Sequence, residues 1–261
     1  MNEKILHENI PVEETFNGFI EDFGGELISK LFIGQGTIPL NADYFLDNRS
    51  IVAELKCIEK NYFDNQNAGQ KVSAMINEWI AQGRLQSKHI RDGRIHINDI
   101  GRDCAEKVFN VFLKPVKDAI EKANKQIKET KRHFGLTNAR GLLILANDGN
   151  YSLTPQVSMN ILGNLLPRAF TGIDSFIYFT PNMRLASSRY DRQAHVWISG
   201  AARPRANAID ADYLNKIQVG WVKYLARLTG EDVTVLEEED PDSLELTFVR
   251  DDATRRTGRR G

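Results

Sequence analysis

The stretch that decides the fold is ADYFLDNRSIVAELKCI, residues Ala42 to Ile58. Two apolar runs, Ile38 to Leu46 and Ile51 to Ile58, flank four residues with typical turn chemistry, Asp47-Asn48-Arg49-Ser50. The pattern predicts a β-hairpin. Charged side chains interrupt both of its otherwise apolar strands, and they are the first candidates for a functional site.

The register of this hairpin predicts where the charged residues meet. A turn centred between Asn48 and Arg49 pairs Asp43 directly with Glu54, and such cross-strand neighbours have β-carbons about 5 Å apart. Because side chains alternate between the faces of a strand, Glu54 and Lys56 project to the same side. We therefore expect two carboxylates and one ammonium group on a single patch. A register shift of one residue would move Asp43 to the other face.

Two adjacent carboxylates repel each other unless a positive charge lies between them, and a hard divalent cation with oxygen ligands is the usual solution. We expect magnesium, held by Asp43, Glu54 and a backbone carbonyl, that of Leu55. Such a metal polarises a phosphate oxygen and lowers the pKa of a bound water. Lys56 would orient or deprotonate that water and offset charge in the transition state. The predicted chemistry is metal-assisted phosphodiester hydrolysis. The alternative is a solvated strand face on which Asp43 is only a cross-strand charge partner.

The spacing of Asp43 and Glu54-Leu55-Lys56 on a hairpin that follows an acidic helix resembles the PD-(D/E)xK nuclease superfamily of restriction and repair enzymes. The resemblance covers roughly residues 12 to 82. It implies a restriction endonuclease-like core, a Mg²⁺ cofactor for which Mn²⁺ can substitute, and DNA as the substrate.

The resemblance also implies two auxiliary residues. A glutamate on the preceding helix often joins the metal site in this superfamily, and Glu26 is the best match, with Glu21 behind it. A glutamine on the following helix is common in some branches, and Gln70 is the candidate. The sequence departs from the family pattern at Ala42, which stands where the family has its name-giving proline.

The rest of the chain alternates helical and strand patterns, with no internal repeat. The predicted helices are 12–31 with Gly24-Gly25 as a candidate break, a helix ending at Gly83, 100–134 with Pro115 marking a kink or a boundary, 154–166 and 210–228. The predicted strands outside the first hairpin are 141–146, 175–180, 194–199 and a terminal hairpin within 233–249.

These elements predict an α/β (α+β) fold, a central mixed β-sheet flanked by helices. We expect a single domain over residues 1–250 and a flexible basic tail over 251–261. Within the domain we expect a catalytic core at about 12–82, a helical insertion at 98–134, and the remaining sheet and helices at 141–250.

The overall charge does not favour nucleic acid, because 34 Lys and Arg residues face 35 Asp and Glu residues, for a net charge of -1. Any polyanion must therefore bind a local basic patch, and the alternative is a solvated surface. The segment predicted to hold backbone phosphates carries Arg184, Arg189, Arg192, Arg203 and Arg205. The tail adds a second basic group, Arg255, Arg256, Arg259 and Arg260.

Several classes of protein are disfavoured. No apolar run approaches the roughly 18 residues of a membrane helix, and the amino terminus is polar, so we expect no membrane association. Cys57 and Cys104 stand alone, which favours a cytoplasmic protein without disulfides. A dinucleotide motif beginning at Gly34 fails at Pro39, and no P-loop, GxSxG or HExxH motif occurs. The five histidines are scattered without zinc-ligand spacing.

Three functions remain open. The first is a magnesium-dependent nuclease for DNA defence or repair, acting as a homodimer or in a larger complex. The second is a non-catalytic scaffold on the same fold that binds nucleic acid or protein. The third is a small-molecule enzyme that uses Asp148 after the 141–146 strand, although residues 147–150 are better explained as a turn.

Overall fold

The computed structural model describes residues 9–34, 40–59, 66–85, 90–91, 94–95, 101–187, 193–202, 207–230 and 246–248. The chain divides into two compact units, Met1–Glu59 with Ile120–Gly261, and Lys60–Ala119. A six-stranded mixed sheet flanked by helices confirms the predicted α/β class. No helix in the described ranges is long and apolar enough to cross a membrane.

The strands of the described residues form three sheets and are numbered in chain order. They are β1 (Glu26–Leu27), β2 (Tyr44–Leu46), β3 (Ile51–Ile58), β4 (Ile90–Arg91), β5 (Arg94–Ile95), β6 (Arg140–Asn147), β7 (Ser175–Phe179), β8 (Leu185–Ser187), β9 (Gln193–Ala194), β10 (Trp197–Ala201) and β11 (Leu246–Phe248). The six-stranded sheet has the order β1-β2-β3-β6-β7-β10. Its centre, β3-β6-β7, is parallel, and the outer pairs are antiparallel. The smaller sheets are β11-β8-β9 and β4-β5.

The helices lie between these strands in the chain. They are α1 (Val12–Asp22), a short 3-10 helix (Ile28–Phe32), α2 (Gln66–Ala81), α3 (Arg102–His133), α4 (Pro155–Ala169) and α5 (Ala211–Thr229). Helices α1 and α5 pack on the sheet face that bears Ala53, Leu55 and Cys57. Phe16 of α1 and Trp221 of α5 meet there, with ring centroids 5.1 Å apart. Glu54 and Lys56 project to the opposite face because side chains alternate along β3.

The helix predicted over residues 12–31 ends at Asp22, so the break expected near Gly24-Gly25 is present and the helical continuation to residue 31 is wrong. Gly24 adopts a left-handed conformation with φ of 89°, which stops the helix. Gly25 then passes so close to β2 that a Cβ on it would lie 2.7 Å from Leu46 Cδ2. The segment that follows therefore enters the sheet as β1 instead of continuing as a helix.

The predicted strand Ile38–Leu46 is shortened to β2, and residues 35–39 lie outside the described residues. Of the predicted terminal hairpin, only residues 246–248 are described; they form β11, which pairs with β8. The other predicted elements are found with small shifts, and helix α3 runs through Pro115 without a boundary. Helix α4 begins where expected, with Val157 N donating to Thr154 Oγ1 at 3.3 Å. Helix α5, predicted over 210–228, ends at Thr229 and is followed by the left-handed Gly230. The strand predicted at 194–199 instead covers residues 197–201 as β10.

Candidate metal centre and active site

The hairpin has the predicted register over β2, which pairs Tyr44, Phe45 and Leu46 with Ala53, Val52 and Ile51. The turn of residues 47–50 sets this alignment. Asp43 lies one residue before β2, and its N–H donates at 3.2 Å to the carbonyl of Ala53, the residue that Tyr44 already pairs with. The backbone ladder therefore leaves the predicted register at Asp43, and it is the Asp43 side chain that reaches β3.

The Asp43 carboxylate is held against the second strand. Leu55 N donates to Asp43 Oδ2 at 2.8 Å, so the side chain takes the place of a backbone acceptor at this point of β3. Burial raises the pKa of Asp43, and the Leu55 N–H and the charge of Lys56 oppose that rise. Asp43 therefore has a fixed carboxylate that is poorly solvated.

Glu54 is fully buried, with 0% of its surface exposed to solvent. Burial, followed by the negative charge of Asp43, raises the pKa of Glu54 to about 8. No hydrogen-bond donor from the described residues reaches Glu54 Oε2. Two arrangements can stabilise this oxygen: a proton shared with the Asp43 carboxylate, or a cation bound by both acids.

Lys56 is positioned by two acceptors. Its ammonium group forms an ion pair with Glu54 Oε1 and donates to Gln126 Oε1 at 2.9 Å. The Lys56 side chain is 16% exposed, so the cation lies at the edge of the buried pair. The predicted convergence of Asp43, Glu54 and Lys56 on one patch is thus present in the structure.

The glutamine that reaches Lys56 lies on α3. Gln126 is buried, and its amide nitrogen donates to the Asn41 carbonyl at 2.8 Å. Gln70, the predicted auxiliary glutamine, is an exposed residue of α2 in the unit Lys60–Ala119. Sequence reasoning missed Gln126 because it searched the first helix after the hairpin, whereas the residue in contact comes from the next one.

Glu26 lies apart from the carboxylate pair. It pairs with Phe45 on the edge strand β1, and both of its oxygens accept hydrogen bonds from Arg49, at 2.8 and 2.5 Å. The hydrogen bond from Arg49 lowers the pKa of Glu26. Glu21 forms an exposed ion pair with Lys30. The predicted helical position of Glu26 is wrong because the helix ends at Asp22.

A different acid acts electrostatically on Asp43. Glu13, an exposed residue in the first turn of α1, is a minor cause of the raised pKa of Asp43, after burial. It also contributes to the raised pKa of Cys57, after burial of the thiol. The signal that could have identified Glu13 is its place at the start of the acidic helix, beside Glu14.

The other predicted residues are only partly described. Arg184 is half-buried just before β8, whereas Arg189, Arg192, Arg203, Arg205 and the tail lie outside the described residues. Residues 147–150 form the expected turn, in which the Asn147 amide nitrogen donates to the Asn150 carbonyl at 3.0 Å. Asp148 accepts from the Asn182 amide at 2.8 Å, and burial raises the pKa of Asp148.

The donor set fits a magnesium ion better than a metal enclosed by protein. The described residues contain no group of three or more His, Cys, Asp or Glu side chains placed to hold a metal. Magnesium usually binds one or two carboxylates and keeps waters or substrate phosphates as its other ligands. Asp43 and Glu54 would be those two carboxylates, and Glu54 Oε2 has no donor from the described residues.

Comparisons with protein-family models, with curated proteins and with solved structures each found no match.

Proposed function

We propose that the chain is a metal-dependent nuclease that hydrolyses phosphodiester bonds, with DNA as its substrate. The observation that carries this proposal is the buried pair of Asp43 and Glu54 with Lys56 at its edge, in which Glu54 Oε2 lacks a donor from the described residues. A buried acid pair with raised pKa values beside a single lysine is typical of functional sites.

Each residue has a distinct role in the proposed reaction. Asp43, Glu54 and the Leu55 carbonyl would hold Mg²⁺, or Mn²⁺ in its place. When bound, the metal supplies Lewis-acid polarisation of a phosphate oxygen and a water of lowered pKa. Lys56 Nζ donates to the oxygen on which negative charge develops, and Gln126 Oε1 keeps the ammonium group directed toward the pair.

The resemblance of the Asp43 and Glu54-Leu55-Lys56 spacing to PD-(D/E)xK nucleases supports DNA as the substrate class. The arginine segment 184–205 is proposed to hold backbone phosphates, and such contacts make binding fall steeply with salt. From the resemblance to this nuclease superfamily we infer a role in DNA defence or repair in the cytoplasm. We propose that the chain acts there as a homodimer or within a larger complex.

A second candidate is a non-catalytic scaffold that binds nucleic acid or protein. The favouring observation is that Lys56 already forms an ion pair with Glu54 and a hydrogen bond with Gln126, so its charge is used within the fold. In this case Asp43, Glu54 and Lys56 would only stabilise the hairpin against α3.

The first test is cleavage of supercoiled, linear and single-stranded DNA, and of RNA, in Mg²⁺, Mn²⁺ or EDTA. We expect metal-dependent cleavage by the wild type and its loss in Lys56→Met, which keeps the length of the side chain. Lys30→Met is the matched control, because it removes an exposed lysine from the ion pair with Glu21. Equal cleavage by Lys56→Met and Lys30→Met would refute the proposed role of Lys56.

Metal binding separates the nuclease from the scaffold. Asp43→Asn removes the charge but keeps an oxygen that can accept from Leu55 N, so the hairpin should stay folded. We expect Mn²⁺ to raise the melting temperature of the wild type and to have little effect on Asp43→Asn. A wild-type melting temperature that Mn²⁺ does not change, together with no cleavage, would favour the scaffold.

A further inference from the structure

The peptide group that joins Asn41 to Ala42, one residue before Asp43, is held at both of its polar atoms by one helix. The Asn41 carbonyl accepts from Gln126 Nε2 at 2.8 Å, and the Ala42 N–H donates to Thr130 Oγ1 at 2.6 Å. Gln126 and Thr130 lie one turn apart on α3, so they present side chains on the same face of the helix. Ala42 and Thr130 are both fully buried.

These two contacts determine the orientation of the peptide plane. A trans peptide group is planar, and its carbonyl and N–H point in opposite directions. A hydrogen bond at each of these two atoms therefore prevents the Asn41–Ala42 peptide plane from rotating. Asp43 follows Ala42 in the chain, so its backbone starts from a fixed plane. The plane and the Asp43 side chain are thus held from two sides, by α3 and by the Leu55 N–H.

We propose that Thr130, together with Gln126, is a positioning residue that fixes the Asn41–Ala42 peptide group and thereby aims the Asp43 carboxylate at Glu54 and Lys56. The expected effect on kcat rests on the proposed nuclease function. The fixed orientation of the Asn41–Ala42 peptide group rests on the hydrogen bonds alone. The Thr130 hydroxyl accepts the Ala42 N–H, so in this proposal it acts through the backbone of Ala42.

The proposal also explains why alanine is suited to position 42. A proline there would fix φ through its ring but would have no N–H to donate to Thr130. Ala42 has more backbone freedom, and its hydrogen bond to Thr130 supplies the constraint that a ring would otherwise provide. Residue 42 and residue 130 should therefore be energetically coupled, although they are far apart in the sequence.

The first readout is amide hydrogen exchange in the metal-free protein. Thr130→Val removes the acceptor of the Ala42 N–H while keeping the shape of the side chain. We expect amide exchange to become about tenfold faster at Ala42. We expect the same at Leu55, because the displaced Asp43 carboxylate no longer accepts the Leu55 N–H. The amide of Ile144, in the centre of the sheet, should be unchanged.

Two comparison variants separate positioning from general loss of stability. Thr130→Ser keeps the hydroxyl oxygen and should restore slow exchange at Ala42 and Leu55. Thr180→Val is the matched control, since Thr180 Oγ1 accepts a backbone N–H from Val196 at 2.9 Å elsewhere in the sheet. It should leave Leu55 exchange unchanged. Equal acceleration at Leu55 in Thr130→Val and Thr180→Val would overturn the proposal.

The second readout is kinetic and uses the same variants. We expect Thr130→Val to lower kcat about tenfold and to weaken Mn²⁺ binding similarly, with KM for DNA within about twofold of wild type. Thr130→Ser should stay close to wild type in kcat. A Thr130→Val enzyme with wild-type kcat and Mn²⁺ binding would overturn the proposal.

Ala42→Pro tests the coupling directly. In the Ala42→Pro background no N–H depends on Thr130, so adding Thr130→Val should change kcat and Mn²⁺ binding less than about twofold. An equal effect of Thr130→Val in both backgrounds would contradict the coupling. If Ala42→Pro does not fold, the exchange comparison of Thr130→Val with Thr130→Ser decides instead.

Wild-type protein that neither cleaves nor binds metal would refute the nuclease, whereas the exchange data would still decide the positioning role.

Discussion

The two ends of the β2-β3 hairpin each hold acidic and basic side chains, but they balance charge differently. At the tip, Arg49 meets a single acid, Glu26, and its two hydrogen bonds lower the pKa of that carboxyl. At the base, Asp43 and Glu54 share Lys56, and burial raises the pKa of both acids. The tip is a matched pair in partial contact with water. The base has two buried carboxyl groups for one ammonium group.

This difference shows how a structural ion pair can be told from a candidate site. A matched pair at the surface stabilises the fold slightly and needs nothing further. A buried excess of carboxylates destabilises the fold until a proton or a cation arrives. The second arrangement is therefore the candidate functional site.

The largest expected effect comes from neutralising one acid at each end. Glu54→Gln should lower the proposed metal-dependent cleavage by about a thousandfold or more, because it neutralises a proposed metal ligand without changing side-chain shape. Glu26→Gln should leave cleavage within about threefold of wild type, since Glu26 lies at the tip. Single-turnover cleavage at saturating Mg²⁺ measures both variants. A large loss in Glu26→Gln would remove the distinction between the two ends.

The pH dependence of stability should also separate the ends. Glu54 has a raised pKa of about 8, so the metal-free native state binds its proton more tightly than the unfolded chain does. Stability should therefore fall as pH rises from about 5 to 8, by an amount on the order of a few kcal/mol. Glu54→Gln should flatten this slope in urea unfolding experiments with EDTA.

Glu26→Gln is the control for that measurement. The pKa of Glu26 is lower in the folded protein than in the unfolded chain. Its contribution to folding stability is therefore present at pH values above the unfolded-state pKa and is lost as pH falls through the acid range. The slope between about pH 5 and 8 should thus be the same as in wild type. A steep slope that survives in Glu54→Gln would assign the pH dependence to another group.

The smallest effect is expected at the turn itself. Asp47, Asn48 and Arg49 all have positive φ, at 48°, 51° and 66°, a conformation that glycine adopts without strain. Asn48→Gly should stabilise the protein by only about 0.5 kcal/mol, because asparagine already tolerates this conformation better than most residues. Urea unfolding should show that gain, with Mn²⁺ binding unchanged. A loss of stability would mean that the Asn48 side chain supports the turn.

Much of the site could be predicted because it is local in the chain. The register followed from the length of the turn, and alternation along β3 placed Glu54 and Lys56 on one face. The extent of β3, residues 51–58, also followed from its apolar run. The extent of α1 was overestimated, since its apolar spacing continues past Gly24, where the backbone turns left-handed.

The partners from other elements were harder to predict. Glu26 and Glu13 are both acids upstream of the hairpin, and only the docking of α1 and β1 distinguishes their positions. Gln126 and Thr130 are two polar residues on a long, charged helix, and nothing in the helical period marks them as partners of Asn41 and Ala42. Contacts between distant segments depend on helix packing, which residue spacing does not encode.

The sequence by itself determined the α/β class, the hairpin and the convergence of Asp43, Glu54 and Lys56, since these depend on alternation and turn length over a few residues. Only the tertiary structure decided how strongly that patch is buried and which side chains surround it. Burial depends on the packing of α3 against the sheet, and it is burial that raises the pKa of Glu54 and leaves its Oε2 without a donor from the described residues.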